Sequence, residues 1–142
     1  MATGQERRGE RVNAGGRIRV LVVDDEPAIC RALAIALERA GCEAVTATSG
    51  DAALLVLRAT RVDAMVLDLW VPDVRGDALF HLATALQPHL RRQSMFTTAD
   101  ITERADILIR ACGVPYVRKP FVLADVTDTV RALVPAARSA QA

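Results

Sequence analysis

Apolar residues recur along this chain in two alternating rhythms. A near-continuous run, Ile18-Arg-Val-Leu-Val-Val23, reads as a buried strand. Pro27 then opens a stretch in which Ile29, Leu33, Ala36, Leu37 and Ala40 share one face at helical spacing, closed by Gly41. The alternation repeats four times. Residues Glu43 to Thr46 are rich in β-branched side chains, and Ser49 caps an apolar helix ending near Leu57 or Arg58. The short run Ala64-Met-Val-Leu67 precedes a helix after Gly76, with Leu79, Leu82, Ala83 and Leu86 at i, i+3, i+4 and i+7. Ser94 to Thr97 precedes a helix opened by Asp100, with Glu103 three residues on as in a capping box, and faced by Ala105, Leu108, Ile109 and Cys112. Val114 to Val117 precedes a last helix faced by Leu123, Val126, Val130 and Leu133.

Strands alternating with helices through short connections require parallel strands, with right-handed crossovers that place helices on both faces of the sheet. The expected fold class is therefore α/β. Ligands of such open sheets bind beyond the carboxyl ends of the strands, where strand order reverses. The polar residues gather there: Asp24 and Asp25 after the first strand, Asp68 after the third, Thr97 and Thr98 after the fourth, and Lys119 after the fifth. The second strand ends without a comparable group, as an edge strand would.

Composition narrows the picture. A length of 142 residues suits one domain with a core that needs no staple, expected over residues 17–135 between a polar leader (1–16) and an Ala-rich tail (136–142). The net charge of +1 argues against a broadly basic nucleic-acid surface, so no direct DNA binding is expected. Cys30, Cys42 and Cys112 are odd in number and lie in no metal-binding spacing, so they read as small buried apolar residues. No apolar run approaches eighteen residues and no signal-peptide core is present, which points to a cytoplasmic, reducing setting with no membrane contact.

One cation stands out. Lys119 is the only lysine beside seventeen arginines, so a chain that otherwise writes positive charge as guanidinium keeps an ammonium at one strand end. It is either one surface lysine or a compact point charge that reaches a small anionic group. The neighbouring acids favour the second reading. Three carboxylates on one rim repel one another unless a cation sits among them, and an all-oxygen set with few protein ligands suits Mg²⁺, which works with phosphates. A phosphoryl site follows, with a carboxylate as nucleophile and Lys119, a Thr98 hydroxyl and backbone amides around the phosphoryl oxygens.

These residues resemble the receiver domain of two-component response regulators, over nearly everything from Ile18 to about Val134. The motifs are Val-Val-Asp24-Asp25-Glu26-Pro27, Asp68-Leu-Trp-Val-Pro72 with Gly76, Thr98-Ala99, and Tyr116 three residues before Lys119-Pro120-Phe121. The resemblance implies a flavodoxin-like three-layer (βα)5 sandwich with strand order 2-1-3-4-5. It implies Asp68 as phosphoacceptor from a sensor histidine kinase or histidine phosphotransfer protein, and a Mg²⁺ cofactor. Asp25 would be a direct ligand, Asp24 a ligand through water, and Trp70 the donor of a main-chain carbonyl. It also implies Thr98 and Lys119 as phosphoryl-binding groups and Tyr116 as the aromatic that moves inward with Thr98. That movement would rebuild a face of the fourth helix, fifth strand and fifth helix, where a downstream protein or a second copy binds.

Departures from the family pattern are Trp70, bulkier than expected two residues after Asp68, and Asp100, an acid two residues after Thr98. The indole either covers a neighbouring loop or controls water access. Thr97 is the alternative to Thr98 as the switch residue. His81 and His89 read as surface histidines, the latter in a loop. The end of the chain suggests a stand-alone receiver, either a phosphate shuttle or a partner-binding switch. Two other classes stay in view: a Mg²⁺-dependent phosphatase with an aspartyl nucleophile, disfavoured because Trp70 stands where a second carboxylate belongs, and a pseudo-receiver that only binds, disfavoured because no member of the acid, threonine and lysine set is missing.

Overall fold

The structure is a computed structural model that describes residues 16–135. The leader expected over 1–16, apart from Gly16, and the tail expected over 136–142 lie outside the described residues. The elements run β1 (Arg19–Val23), α1 (Pro27–Arg39), β2 (Glu43–Ala47), α2 (Gly50–Ala59), β3 (Ala64–Asp68) and α3 (Gly76–Leu86). A 3-10 turn (Pro88–Arg92) follows, then β4 (Ser94–Thr98), α4 (Glu103–Cys112), β5 (Tyr116–Arg118) and α5 (Leu123–Leu133). All pairings are parallel and the order is β2-β1-β3-β4-β5, so β2 is an edge.

The strand sequences explain the layering. Every residue of β3 and β4, and all but the first of β1, is buried, as strands covered by helices on both faces must be. Alternate side chains then feed two cores. Leu21, Val23, Met65, Leu67 and Phe96 pack with residues of α2, α3 and α4, while Val20, Val22, Ala64, Val66 and Met95 pack with α1 and α5. Each buried Val, Leu or Phe contributes about 1.5–3 kcal/mol relative to exposure, so the central strands are the most firmly anchored part of the sheet. The polar residues at their carboxyl ends inherit that rigidity. Cys30, Cys42 and Cys112 are buried thiols, and burial is the first influence that pushes each above its usual range, so they behave as small apolar residues.

Several local expectations are corrected. In α3 the buried side chains are Leu79, Phe80, Ala83 and Thr84, whereas Leu82 and Leu86 are 47% and 44% exposed, because the helix is rotated to bring Phe80 against Phe96. Leu123 of α5 is likewise partly exposed. The cap of α4 is Thr102, whose hydroxyl accepts from Ala105 N at 3.3 Å, and not Asp100, whose carboxylate instead accepts from Thr102 N. Strand β5 begins at Tyr116, two residues later than the apolar run suggests, since Pro115 has no N–H and its carbonyl accepts from Phe96 N. His89 lies in the 3-10 turn, half-buried, with Nε2 2.7 Å from Val62 O, and is not a loop surface residue.

Gly76 fixes how the chain leaves the end of β3. A Cβ there would lie 2.5 Å from Asp68 O and 2.8 Å from Leu69 Cα, and the Gly76 N–H donates to Leu69 O at 2.6 Å. The nearest atoms are all backbone of Asp68 and Leu69, with no flexible side-chain end among them to yield. Gly76→Ala should therefore cost about 2–3 kcal/mol, read in urea unfolding as a lower midpoint at unchanged slope. A wild-type midpoint would show that this loop is free to shift.

Candidate functional site

The carboxyl ends of β1, β3 and β5 deliver four charged groups to one place. Asp24 is buried at the end of β1, its Oδ1 accepting from Glu26 N at 2.9 Å, which turns the chain into α1. Asp25 follows and is exposed. Asp68, the last residue of β3, is 6% exposed, and its Oδ1 accepts from Trp70 N at 3.2 Å. The side chains of Asp24, Asp25 and Asp68 each offer one oxygen, all within 4.8 Å of one another. Such a cluster of hard oxygen donors fits a small divalent cation.

Lys119 sits among these acids. Its Nζ donates to Asp24 Oδ2 at 2.8 Å and Asp68 Oδ2 at 3.2 Å, and lies 3.8 Å from Glu26 Oε1. The side chain is delivered by the end of β5, where Lys119 N donates to Thr98 O at 2.8 Å. Burial is the strongest influence on Asp68 and pushes its carboxyl above the usual range. Lys119 and the Trp70 N–H pull it down and Asp24 pushes it up again, and the upward influences win. For Lys119, burial acts first and lowers the value. The bond to Asp24 and the charges of Asp68 and Asp24 outweigh it and hold the ammonium above its ordinary range. Burial thus makes ionisation of Asp68 more costly, while its neighbours favour the charged form of Lys119.

The remaining residues read from the sequence are placed around this core. Thr98 is buried, and its Oγ1 accepts from Asp100 N at 2.9 Å. Tyr116 is 43% exposed and borders a groove of about 410 Å³ with Ile101, Ile109 and Arg118. The Trp70 indole spans from the loop after β3 to the loop after β4, its Nε1 donating to Asp100 Oδ2 at 2.9 Å, with the Arg104 guanidinium 5.6 Å from the ring centre. Two contributors escaped sequence reasoning. Glu26 was legible only as part of an acidic run. Asp73 accepts from Gly50 N and Asp51 N at 2.8 and 2.9 Å, tying the loop after β3 to the start of α2, and those two N–H bonds hold its carboxyl below the usual range.

The family model described as response regulator receiver domain matches residues 20–131. The chain belongs to this family. Among curated relatives, the probable transcriptional regulatory protein TcrX of Mycobacterium tuberculosis is 35% identical over 119 residues, covering 84% of this chain and 50% of its own length. The transcriptional regulatory protein KdpE of the same species is 36% identical over 117 residues, covering 81% and 50%. This receiver chain thus spans about half the length of the curated relatives it matches. Among solved structures, a CheY-like receiver domain protein from Methanospirillum hungatei JF-1 aligns with TM-score 0.77 at 22% identity, over 89% of this chain and 99% of its own. A Burkholderia pseudomallei response regulator with a phosphorylated aspartic acid, a calcium ion and citrate aligns with TM-score 0.72 at 22% identity, over 88% and 73%. At such identities these two structures speak for the fold, which is the flavodoxin-like receiver fold. Among the described residues no helix is long and apolar enough to cross a membrane.

The raised Asp68 value makes a stability prediction. A carboxyl whose folded pKa lies above its unfolded one destabilises the fold once ionised. The penalty is absent below the ordinary carboxylate range and sets in as pH rises through the folded value. In metal-free buffer at pH 7, Asp68→Asn should therefore melt a few degrees higher than wild type, the shift that about 1 kcal/mol produces in a domain of this size. The gap should narrow as pH is lowered toward 4. An Asn variant that melts lower at pH 7 would mean that the Lys119 contact outweighs burial.

Proposed function

We propose that Asp68 accepts a phosphoryl group from the phosphohistidine of a sensor histidine kinase or a histidine phosphotransfer protein, and that the modified domain changes the face it presents to a downstream protein. The observation that carries this reading is the placement of the Asp68 carboxylate: at a rigid strand end, within 3.2 Å of an ammonium and in a cluster of three acids. An Asp68 oxygen attacks phosphorus, the bond from phosphorus to the donor imidazole nitrogen breaks, and the imidazole leaves with the electron pair and takes up a proton from solvent. Mg²⁺, held by Asp24, Asp25 and Asp68 with the Trp70 main-chain carbonyl, would neutralise charge on the phosphoryl oxygens. Lys119 turns its donors from the carboxylates toward a phosphoryl oxygen, a role suited to a compact ammonium. Thr98 binds a second oxygen through its hydroxyl, and Tyr116 follows it inward.

The receiver unit occupies residues 17–135. Its output face combines α4, β5 and α5, where Ile101, Tyr116, Val122 and Leu123 expose apolar area to a protein partner or a second copy. Output passes through such protein contact and not through DNA contact by these residues. The three buried free cysteines go with a reducing, cytoplasmic setting.

Incubation with acetyl phosphate and Mg²⁺, followed by mass spectrometry of the intact chain, should show one acid-labile phosphoryl group, and Asp68→Asn should show none. Undiminished incorporation in that variant would move the acceptor elsewhere. Lys119→Arg, conservative in a chain so rich in arginine, should weaken the Mg²⁺-dependent response to beryllofluoride by about tenfold or more, read from Trp70 emission, because the planar fork does not fit a point-charge site. A wild-type response would leave Lys119 as a partner of Asp24 and Asp68 with no point-charge role toward the phosphoryl group.

A further inference from the structure

Asp100 joins three parts of the molecule. Its main-chain N–H donates to Thr98 Oγ1 at 2.9 Å. One carboxylate oxygen accepts from Trp70 Nε1 at 2.9 Å, and the other accepts from Thr102 N at 2.8 Å. Thr102 in turn caps α4 through Ala105 N. One residue thus links the tryptophan beside the phosphoacceptor, the threonine expected to sense the phosphoryl group, and the N-terminus of a helix on the output face. Arg104, from the first turn of α4, lies over the same indole and holds it between the two loops.

We propose that Asp100 is a positioning residue for the phosphoryl chemistry, latching the Thr98 hydroxyl in its present place through the bond its carboxylate makes to Trp70. This rests on the phosphoacceptor reading of Asp68. The Thr98 hydroxyl has one proton and now makes only a long 3.5 Å contact with Asp100 O, while the shorter bond is the one it accepts from Asp100 N. Swinging toward a phosphoryl oxygen on Asp68 stretches that shorter bond, and Asp100 follows only if its carboxylate lets go of the indole. Interactions made in one state alone set the balance between two states. The bond from Trp70 to Asp100 therefore opposes switching, and its release is passed through Thr102 to the cap of α4.

Two substitutions separate this latch from simple electrostatics. Asp100→Ala removes the bond to Trp70, the bond to Thr102 N and a negative charge. Trp70→Phe removes the indole N–H with the pyrrole ring that carries it, changes no charge, and keeps an aromatic ring and the main-chain carbonyl. With Mg²⁺ present, fluorine NMR titration should show beryllofluoride binding about three- to tenfold tighter in both. The double variant should gain no more than the stronger single one, because both changes break the same bond. In metal-free protein without beryllofluoride, Asp100→Ala should raise acrylamide quenching of the single tryptophan, since the indole loses its anchor. Tighter binding in Asp100→Ala with unchanged binding in Trp70→Phe would overturn the latch and leave charge removal as the cause. Additive gains in the double variant, or unchanged quenching in Asp100→Ala, would also overturn it. A wild-type protein that binds no beryllofluoride would overturn the phosphoacceptor reading and the latch with it, a result told apart from failure of the latch alone by the wild-type titration.

Discussion

Three carboxylates held within 4.8 Å of one another are the constraint around which this molecule is arranged. At such separations each pair of negative charges repels by about 3–4 kcal/mol in an effective dielectric near 20. A cation inside the cluster offsets that repulsion, and Lys119 supplies one directly to Asp24 and Asp68. A buried ion pair of this kind gives little net stability, because desolvation cancels most of the attraction. What it provides is a carboxylate whose ionisation is costly, beside a donor that can turn to another anion.

The fold supplies the stiffness that this arrangement needs. Asp24, Asp68 and Lys119 are far apart in the chain and would drift apart without fixed strand ends. β1 and β3 are neighbours in the sheet, and β3 pairs in register with β4, which pairs with β5. The loop after β3 is held at two further points: Gly76 against the backbone of Asp68 and Leu69, and Asp73 against the first N–H groups of α2. By contrast, the Thr98 hydroxyl and the Trp70 indole meet the loop after β4 through hydrogen bonds to Asp100, and the Tyr116 side chain is 43% exposed. The groups that bear charge are rigid and the groups that would report on it are lightly held, a division suited to a switch.

The period of the apolar residues determined the α/β class, and the polar residue at the end of each apolar run determined which positions share a rim: Asp24, Asp25, Asp68, Thr98 and Lys119. Both are legible because strand burial and right-handed crossover act over a few residues at a time. The cap at Ser49 was legible for the same reason, since a cap is decided by the residues beside it. Tertiary structure alone decided the rest. Phe80 displaced Leu82 from the core because Phe96 lay opposite it, and no helical spacing contains that fact. Asp100, two residues before the α4 cap Thr102, turns one of its oxygens to Trp70, thirty residues earlier in the chain. Asp73 reached α2 across a loop. Each of these outcomes depends on a partner distant in sequence, whose position is settled only when the whole sheet has formed.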